Sequence, residues 1–160
     1  MKVEITDIKI DHLQDLHKWE MDAELQMKTG VDVPRTYEQF NQSYAAYFNG
    51  EKPNLLLKAI LLDGRLIGKI ELFHTKKRDF IGMVIAEKRN CGVGTEALDL
   101  FLLYIFEELG VKTIFAEVYE DNGGSLRFFG KNGFHSTGER SIEWFRGNPR
   151  TLVTLKKELN

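Results

Sequence analysis

One cysteine, three prolines and no apolar run long enough to span a bilayer mark what this chain of 160 residues goes without. With Cys91 alone an internal disulfide is excluded, which fits a reducing compartment. Nothing near the start resembles a secretory signal, and no stretch approaches the roughly 20 apolar residues of a membrane helix. The expectation is a cytoplasmic protein with no membrane partner. An excess of charge is missing too. The 22 Lys and Arg against 24 Asp and Glu leave a net −2, no electrostatic case for nucleic acid or anionic lipid. The four histidines lack metal-ligand spacing: His12 and His17 are five apart, off the i,i+4 face, so no metal is expected. Repeats and low-complexity tracts are absent. So is the Gly-Lys-Ser/Thr that a P-loop carries ahead of its helix.

What is present is ordinary for a single globular domain over 1–160: 42% hydrophobic and 29% charged residues. Val3 to Ile10 reads as a first strand. Asp11 is placed to cap a helix running to about Glu20, with Leu13, Leu16 and Trp19 inward. Asp22 to Arg35 reads as irregular. Thr36 with Gln39 is a capping-box pattern, and Phe40, Tyr44, Tyr47 and Phe48 follow at helical spacing until Asn49-Gly50. Asn54 to Leu62 and Leu66 to Phe73 read as a hairpin about Asp63-Gly64. Strands follow at Phe80–Ile85 and Thr113–Tyr119, with an apolar helix, Val93 to Leu109, between them. A short helix from Asn122 closes at Gly133. Two last strands, about 134–145 and 150–159, are joined by Gly147-Asn148-Pro149 and pair within the chain or across a dimer. The order predicts a mixed α/β sheet of six or seven strands with about four helices on both faces.

The most informative stretch is Phe80 to Glu96. A strand feeds the basic pair Lys88-Arg89, then Gly92 and Gly94 one residue apart, then a helix. The first turn of a helix offers unpaired N–H groups and a positive dipole end, and glycines let a ligand oxygen approach the backbone. Gly92-x-Gly94-x-x-Ala97 also fits a relaxed dinucleotide fingerprint, with Glu117 ending the next strand. That fold, however, sets its first glycine directly after the strand, whereas in this chain Ala86 to Cys91 intervene.

Arg89-Asn90-Cys91-Gly92-Val93-Gly94 matches the Arg/Gln-x-x-Gly-x-Gly/Ala signature of the GNAT superfamily of N-acetyltransferases. Asn122-Gly123-Gly124-Ser125-Leu126-Arg127-Phe128-Phe129-Gly130-Lys131-Asn132-Gly133-Phe134 resembles that family's Asn-x-x-Ser/Ala…Gly-Phe segment. The resemblance covers about residues 54–140, and its general look is similar to the branch that includes ribosomal-protein N-terminal acetyltransferases. It implies a GNAT fold and acetyl-CoA as cosubstrate. Backbone groups of Asn90, Cys91, Gly92, Val93, Gly94 and Thr95, beside Arg89, would hold the pyrophosphate, all within a cofactor segment at 80–109. Met83, Val84 and Ile85 would pair with the pantetheine arm as an added strand would. Asn122, Ser125 and Phe128 would contribute from a second cofactor segment at 113–134, where Asn122 also reads as a plain helix cap. The segment 11–52 would wall the acceptor side. Its aromatic rings and carboxylates suit a cationic amine. The acceptor class stays open among a protein N-terminus, a polyamine, an aminoglycoside and a small amine, and the oligomer between monomer and homodimer.

Acetyl transfer needs a base for the ammonium and a proton for the leaving thiolate. Many family members carry a tyrosine where this chain has Phe129, and phenylalanine has no proton to give. Tyr119, on the face of its strand that Glu117 shares, is the candidate substitute acid. Glu71 and Glu117 are the candidate bases. Burial is what raises a carboxylate into a useful range. Phe129 also leaves open a non-catalytic acyl-CoA-binding or sensor module.

Overall fold

The computed structural model describes residues 2–87 and 92–160. Seven strands form one sheet in the order β1-β2-β3-β4-β5-β7-β6. They are β1 (Val3–Asp7), β2 (Leu55–Leu62), β3 (Arg65–His74), β4 (Asp79–Ile85), β5 (Thr113–Tyr119), β6 (His135–Phe145) and β7 (Asn148–Glu158). Every pairing is antiparallel except β4 with β5. The β2–β3 and β6–β7 hairpins turn on Asp63-Gly64 and Arg146-Gly147, all four residues having positive φ (51°, 83°, 53° and 80°). That is the mirror-image turn whose twist matches paired strands. The second turn lies earlier than the sequence suggests: Asn148 and Pro149 already belong to β7, where Pro149 faces Trp144 on the edge strand.

Helices cover both faces. On one, α4 (Val93–Leu109) and α5 (Gly123–Lys131) pack over the sheet. Val93, Ala97, Leu98, Phe101, Leu102 and Ile105 follow the 3.6-residue repeat and are buried with Ile60, Ile70, Ile114 and Val118. Leu100 and Leu103 face solvent, so α4 is less completely buried than its composition suggests. On the other face lie α1 (Leu13–Glu20), α2 (Ala23–Thr29) and α3 (Tyr37–Phe48). Leu13, Leu16, Phe40 and Tyr44 pack there on Leu57 and Ala59 of β2.

The N-terminal third departs from expectation in two places. β1 stops at Asp7, and a single 3₁₀ turn, Ile10–His12, leads into α1 with His12 as N-cap; Asp11 lies inside that turn and caps nothing. Residues 22–35 are not irregular throughout. Asp22 accepts a hydrogen bond from the Leu25 N–H (2.9 Å) and starts α2, and Gly30 ends it in the left-handed region (φ 77°). The described residues therefore hold five α-helices, one more than expected. The Thr36–Gln39 capping box forms reciprocally, as the pattern predicts. Among the described residues, no helix is long and apolar enough to cross a membrane.

Candidate active site

β4 and β5 run parallel but meet at one register pair, Phe80 with Phe115. β5 turns instead to β7, which it follows from Thr113 to Tyr119. The edge of β4 that faces β5 is thus left open over Met83, Val84 and Ile85, while the other edge is fully paired with β3. Unpaired backbone groups at an internal seam are costly unless something fills them. An extended chain bearing its own amides fits that requirement.

The start of α4 lies just beyond the seam. Gly92 is its N-cap, at φ 78°, and supplies no side-chain cap. The N–H groups of Val93, Gly94 and Thr95 have no carbonyl four residues earlier within the helix, so they are available to an anion. Val93 itself is buried and anchors the turn. Gly94 is packed: a Cβ there would come within 3.1 Å of the Phe128 ring. Thr95 Oγ1 accepts from the Asn132 amide at 3.3 Å, which joins the start of α4 to the end of α5. Arg89, Asn90 and Cys91 lie outside the described residues. Asn122 does cap α5, its Oδ1 accepting from the Ser125 N–H at 3.2 Å, and both residues also line the cleft.

The cleft continues from the seam to the α1–α3 side, with a volume of about 550 Å³. Its walls carry both signs of charge. Glu20, only 10% exposed, takes the Arg35 side chain through Nε and Nη2 and also accepts the Arg35 N–H. Lys69 points in from β3. Burial pushes its ammonium down, but the charge and hydrogen bond it shares with Tyr44, together with Glu71 beside it, outweigh that and raise it. Glu71 is half-buried on the same face of β3 and stands opposite Gly82 of β4. Glu117 lines the cleft from β5, is exposed, and makes no hydrogen bond among the described residues.

Tyr119 is buried, and its hydroxyl donates to Glu143 Oε1 at 2.6 Å. Burial, then the Glu143 carboxylate, push its phenol well above the usual range. The Arg150 guanidinium stacks on the ring at 3.6 Å. Phe129 is also buried, edge-on to Phe128 and Phe134, and presents only ring carbon to the cleft. Arg78 is engaged on the β6 side, where it holds Glu139 and lies over Phe115.

The Glu20–Arg35 pair makes a pH prediction. Burial alone would raise the Glu20 carboxyl; the side-chain and backbone hydrogen bonds from Arg35 outweigh it and hold the group below the usual 4.5. A lowered folded value means stability that is present above the unfolded pKa and lost as pH falls through the folded one. Glu20→Gln is therefore expected to cost about 2 kcal/mol at pH 7, an amount reduced for the exposure of Arg35. Urea unfolding of the two proteins should converge as pH falls below 4.5 and through the folded value. A gap that stays constant throughout that fall would contradict the pairing as its source.

Sequence reasoning finds Glu71, Glu117, Tyr119, Asn122, Ser125, Met83 and Val84, and all of them line this one cleft. It places Glu20 among the carboxylates of the 11–52 segment and Lys69 on the face of Glu71 without giving either a partner in the site, and it misses Arg35 and Glu143. These come together only through the fold, and no local pattern marks them.

Comparison with known proteins gives a family. The family model described as an acetyltransferase (GNAT) domain matches residues 2–135. Over 137 residues the chain is 27% identical to an N-acetyltransferase 9-like protein of Caenorhabditis briggsae, a match spanning 75% of this chain and 67% of that protein. Among solved structures, the spermidine N-acetyltransferase of Vibrio cholerae, in complex with CoA and spermine, superposes with a TM-score of 0.85 at 15% identity, over 98% of this chain and 95% of that one. A ribosomal L7/L12 α-N-protein acetyltransferase, RimL, in complex with coenzyme A, superposes at 0.83 with 13% identity, over 99% and 95%. At these identities the structural likeness speaks for the fold.

Proposed function

The chain belongs to the GNAT acetyltransferase family, and from that premise we propose that it transfers an acetyl group from acetyl-CoA to a primary amine by direct attack within a ternary complex. The observation that supports this most is the open edge of Met83–Ile85 leading to an uncapped helix N-terminus, with carboxylates on the cleft side of the same strand pair. A thioester held along that edge would meet an amine entering between α1–α3 and the sheet.

In this reading the residues divide the work as follows. The N–H groups of Gly92 to Thr95 hold the pyrophosphate, and those of Met83 to Ile85 hold the pantetheine arm and face the carbonyl oxygen as charge develops on it. Glu71 takes the proton from the attacking ammonium, directly or through one water; we prefer it to Glu117 because it is the more enclosed of the two. Glu117 faces the incoming cation. The nitrogen–carbon bond forms, the carbon–sulfur bond breaks, and the second proton of the nitrogen passes through water to the departing thiolate. Tyr119 is not assigned that role: its hydroxyl hydrogen is committed to the bond with Glu143, and its raised pKa makes donation to a thiolate (thiol pKa near 8.5) uphill. The acceptor is an amine of the polyamine, aminoglycoside, peptide N-terminal or small-metabolite kind.

Calorimetric titration of acetyl-CoA, with NAD for comparison, followed by an amine panel read by free-thiol release, tests the proposal. Saturable binding of acetyl-CoA and thiol release with one amine class are expected. Binding without release on a broad panel would favour an acyl-CoA sensor, and NAD binding without acetyl-CoA binding would overturn the reading.

A further inference from the structure

Glycines occur in this chain for two different reasons, and Gly82 belongs to the less common group. Gly30, Gly64, Gly92, Gly110 and Gly147 all sit at positive φ, where a side chain is strained whatever the space around it. Gly82 does not. It lies inside β4, where a glycine weakens the strand and a β-branched residue would serve better. Nothing in its backbone conformation calls for glycine.

The space above it does. A Cβ on Gly82 would come within 2.9 Å of Glu71 Oε1 and 3.1 Å of Glu71 Cγ. Glu71 and Gly82 are register partners across β3 and β4. The Glu71 side chain therefore does not stand off its own strand. It lies across the neighbouring one, in the volume that a side chain at 82 would otherwise fill. Lys69, two residues back on the same face and held by Tyr44, bounds it on one side. The carboxylate is thereby laid over β4, the strand whose far edge is open.

We propose that Gly82 is a positioning residue: its missing Cβ sets how far the Glu71 carboxylate reaches across β4 toward the reacting amine. The inference rests on Glu71 acting as base in the proposed transfer. The atoms that a Cβ would meet belong to a flexible side chain and not to backbone, so Gly82→Ala is expected to fold. Its consequence is a displaced carboxylate, and a displacement of about 1 Å costs on the order of 10²-fold where a proton must be moved over hydrogen-bond distance.

The test is a double-mutant cycle of Gly82→Ala and Glu71→Gln in the full chain. Three readings are taken: acetyl-CoA affinity, the split between kcat and acceptor KM, and the NMR chemical shift of the Glu71 side-chain carboxyl carbon at a single pH. Gly82→Ala is expected to lower kcat at least tenfold with acceptor KM little changed, to move the Glu71 carboxyl signal, and to leave acetyl-CoA affinity within twofold. In the Glu71→Gln background it should cost nothing further, because the group it positions is gone. Additive losses, an unchanged kcat, or loss of acetyl-CoA binding would each overturn the proposal, the last by showing that β4 itself had moved. If the wild-type chain turns over no amine, the proposed function fails. The NMR chemical shift still decides the placement, and an unmoved Glu71 carboxyl signal in Gly82→Ala would refute it.

Discussion

Glu71→Gln is expected to lower kcat by about 10²–10³-fold, within the range that a single positioned proton acceptor supplies. Affinity for acetyl-CoA should stay within twofold, because the proposed cofactor contacts are backbone groups of β4 and of the start of α4. The variant keeps the shape of the side chain and its place over Gly82, so packing is preserved while the proton acceptor is lost. Stopped-turnover assays by thiol release, with stability followed in parallel by urea unfolding, separate chemistry from folding. If kcat stays within about threefold of wild type, the base lies elsewhere, and Glu117, which faces the cleft from β5, is the group to change next. Glu117→Gln, with Glu71 as base, acts mainly on the acceptor's KM.

The second large effect is structural and falls on the acceptor wall. Gly30 ends α2 at φ 77°, and a Cβ built on it would come within 2.0 Å of the Tyr119 hydroxyl oxygen and 2.9 Å of Cζ. The tyrosine cannot yield freely, since its ring lies under Arg150 and its hydroxyl is committed to Glu143. Gly30→Ala thus combines left-handed strain, about 1 kcal/mol, with loss of a hydrogen bond to a charged group, about 2 kcal/mol. The sum, about 3 kcal/mol, corresponds to a fall of roughly 8 °C in Tm for a domain of this size. Acceptor KM should rise as well, while acetyl-CoA affinity holds. The tip of the last hairpin adds a second tether, with the Arg146 N–H donating to Asp32 and its Nη2 to Gln26 and Val31. Calorimetric melting of Gly30→Ala decides the matter: a change in Tm below about 2 °C would mean that α2 moves off β5 without cost.

How far the sequence foretells this structure depends on how local the signal is. The span of α4 is readable to the residue, because a glycine pair marks its start, Gly110 follows it and the apolar repeat between them is unbroken. The same holds for the Thr36–Gln39 box and the Asp63-Gly64 turn. α2 escapes a sequence reading, although Asp22 and Gly30 are proper start and stop signals: its seven residues are mostly polar, and it is fixed by Tyr119 and Arg146, more than 80 residues away in sequence. The site divides in the same way. The proposed cofactor side is written in short motifs, because the binding proposed for it is by backbone and glycine. The proposed acceptor side is assembled from single residues on α1, α2, β3, β5 and β6. Nothing near Lys69 or Glu143 in the chain announces that each would face a partner from another strand or helix. Phe129 is legible as a missing hydroxyl, but its burial between two other rings is not.

The register of the first two strands bears on how such a chain can change. Asp7, the last residue of β1, lies opposite Lys58 of β2, and their side chains meet at 2.6 Å. Everything from residue 8 to residue 54, the helical part of the proposed acceptor wall, is therefore one excursion that leaves and rejoins the sheet at neighbouring points. Its closure is secured by the strand pair at its base, and closure entropy grows only slowly with length. The wall is in that sense a cassette. Its length and content can drift, or be exchanged, at small thermodynamic cost, provided that a replacement covers Leu57 and Ala59 and recreates the seat for Tyr119 and the anchor for Arg146. The start of α4, where the proposed function seats the pyrophosphate, lies outside the cassette, so on that proposal part of the acceptor side can change without touching the cofactor side.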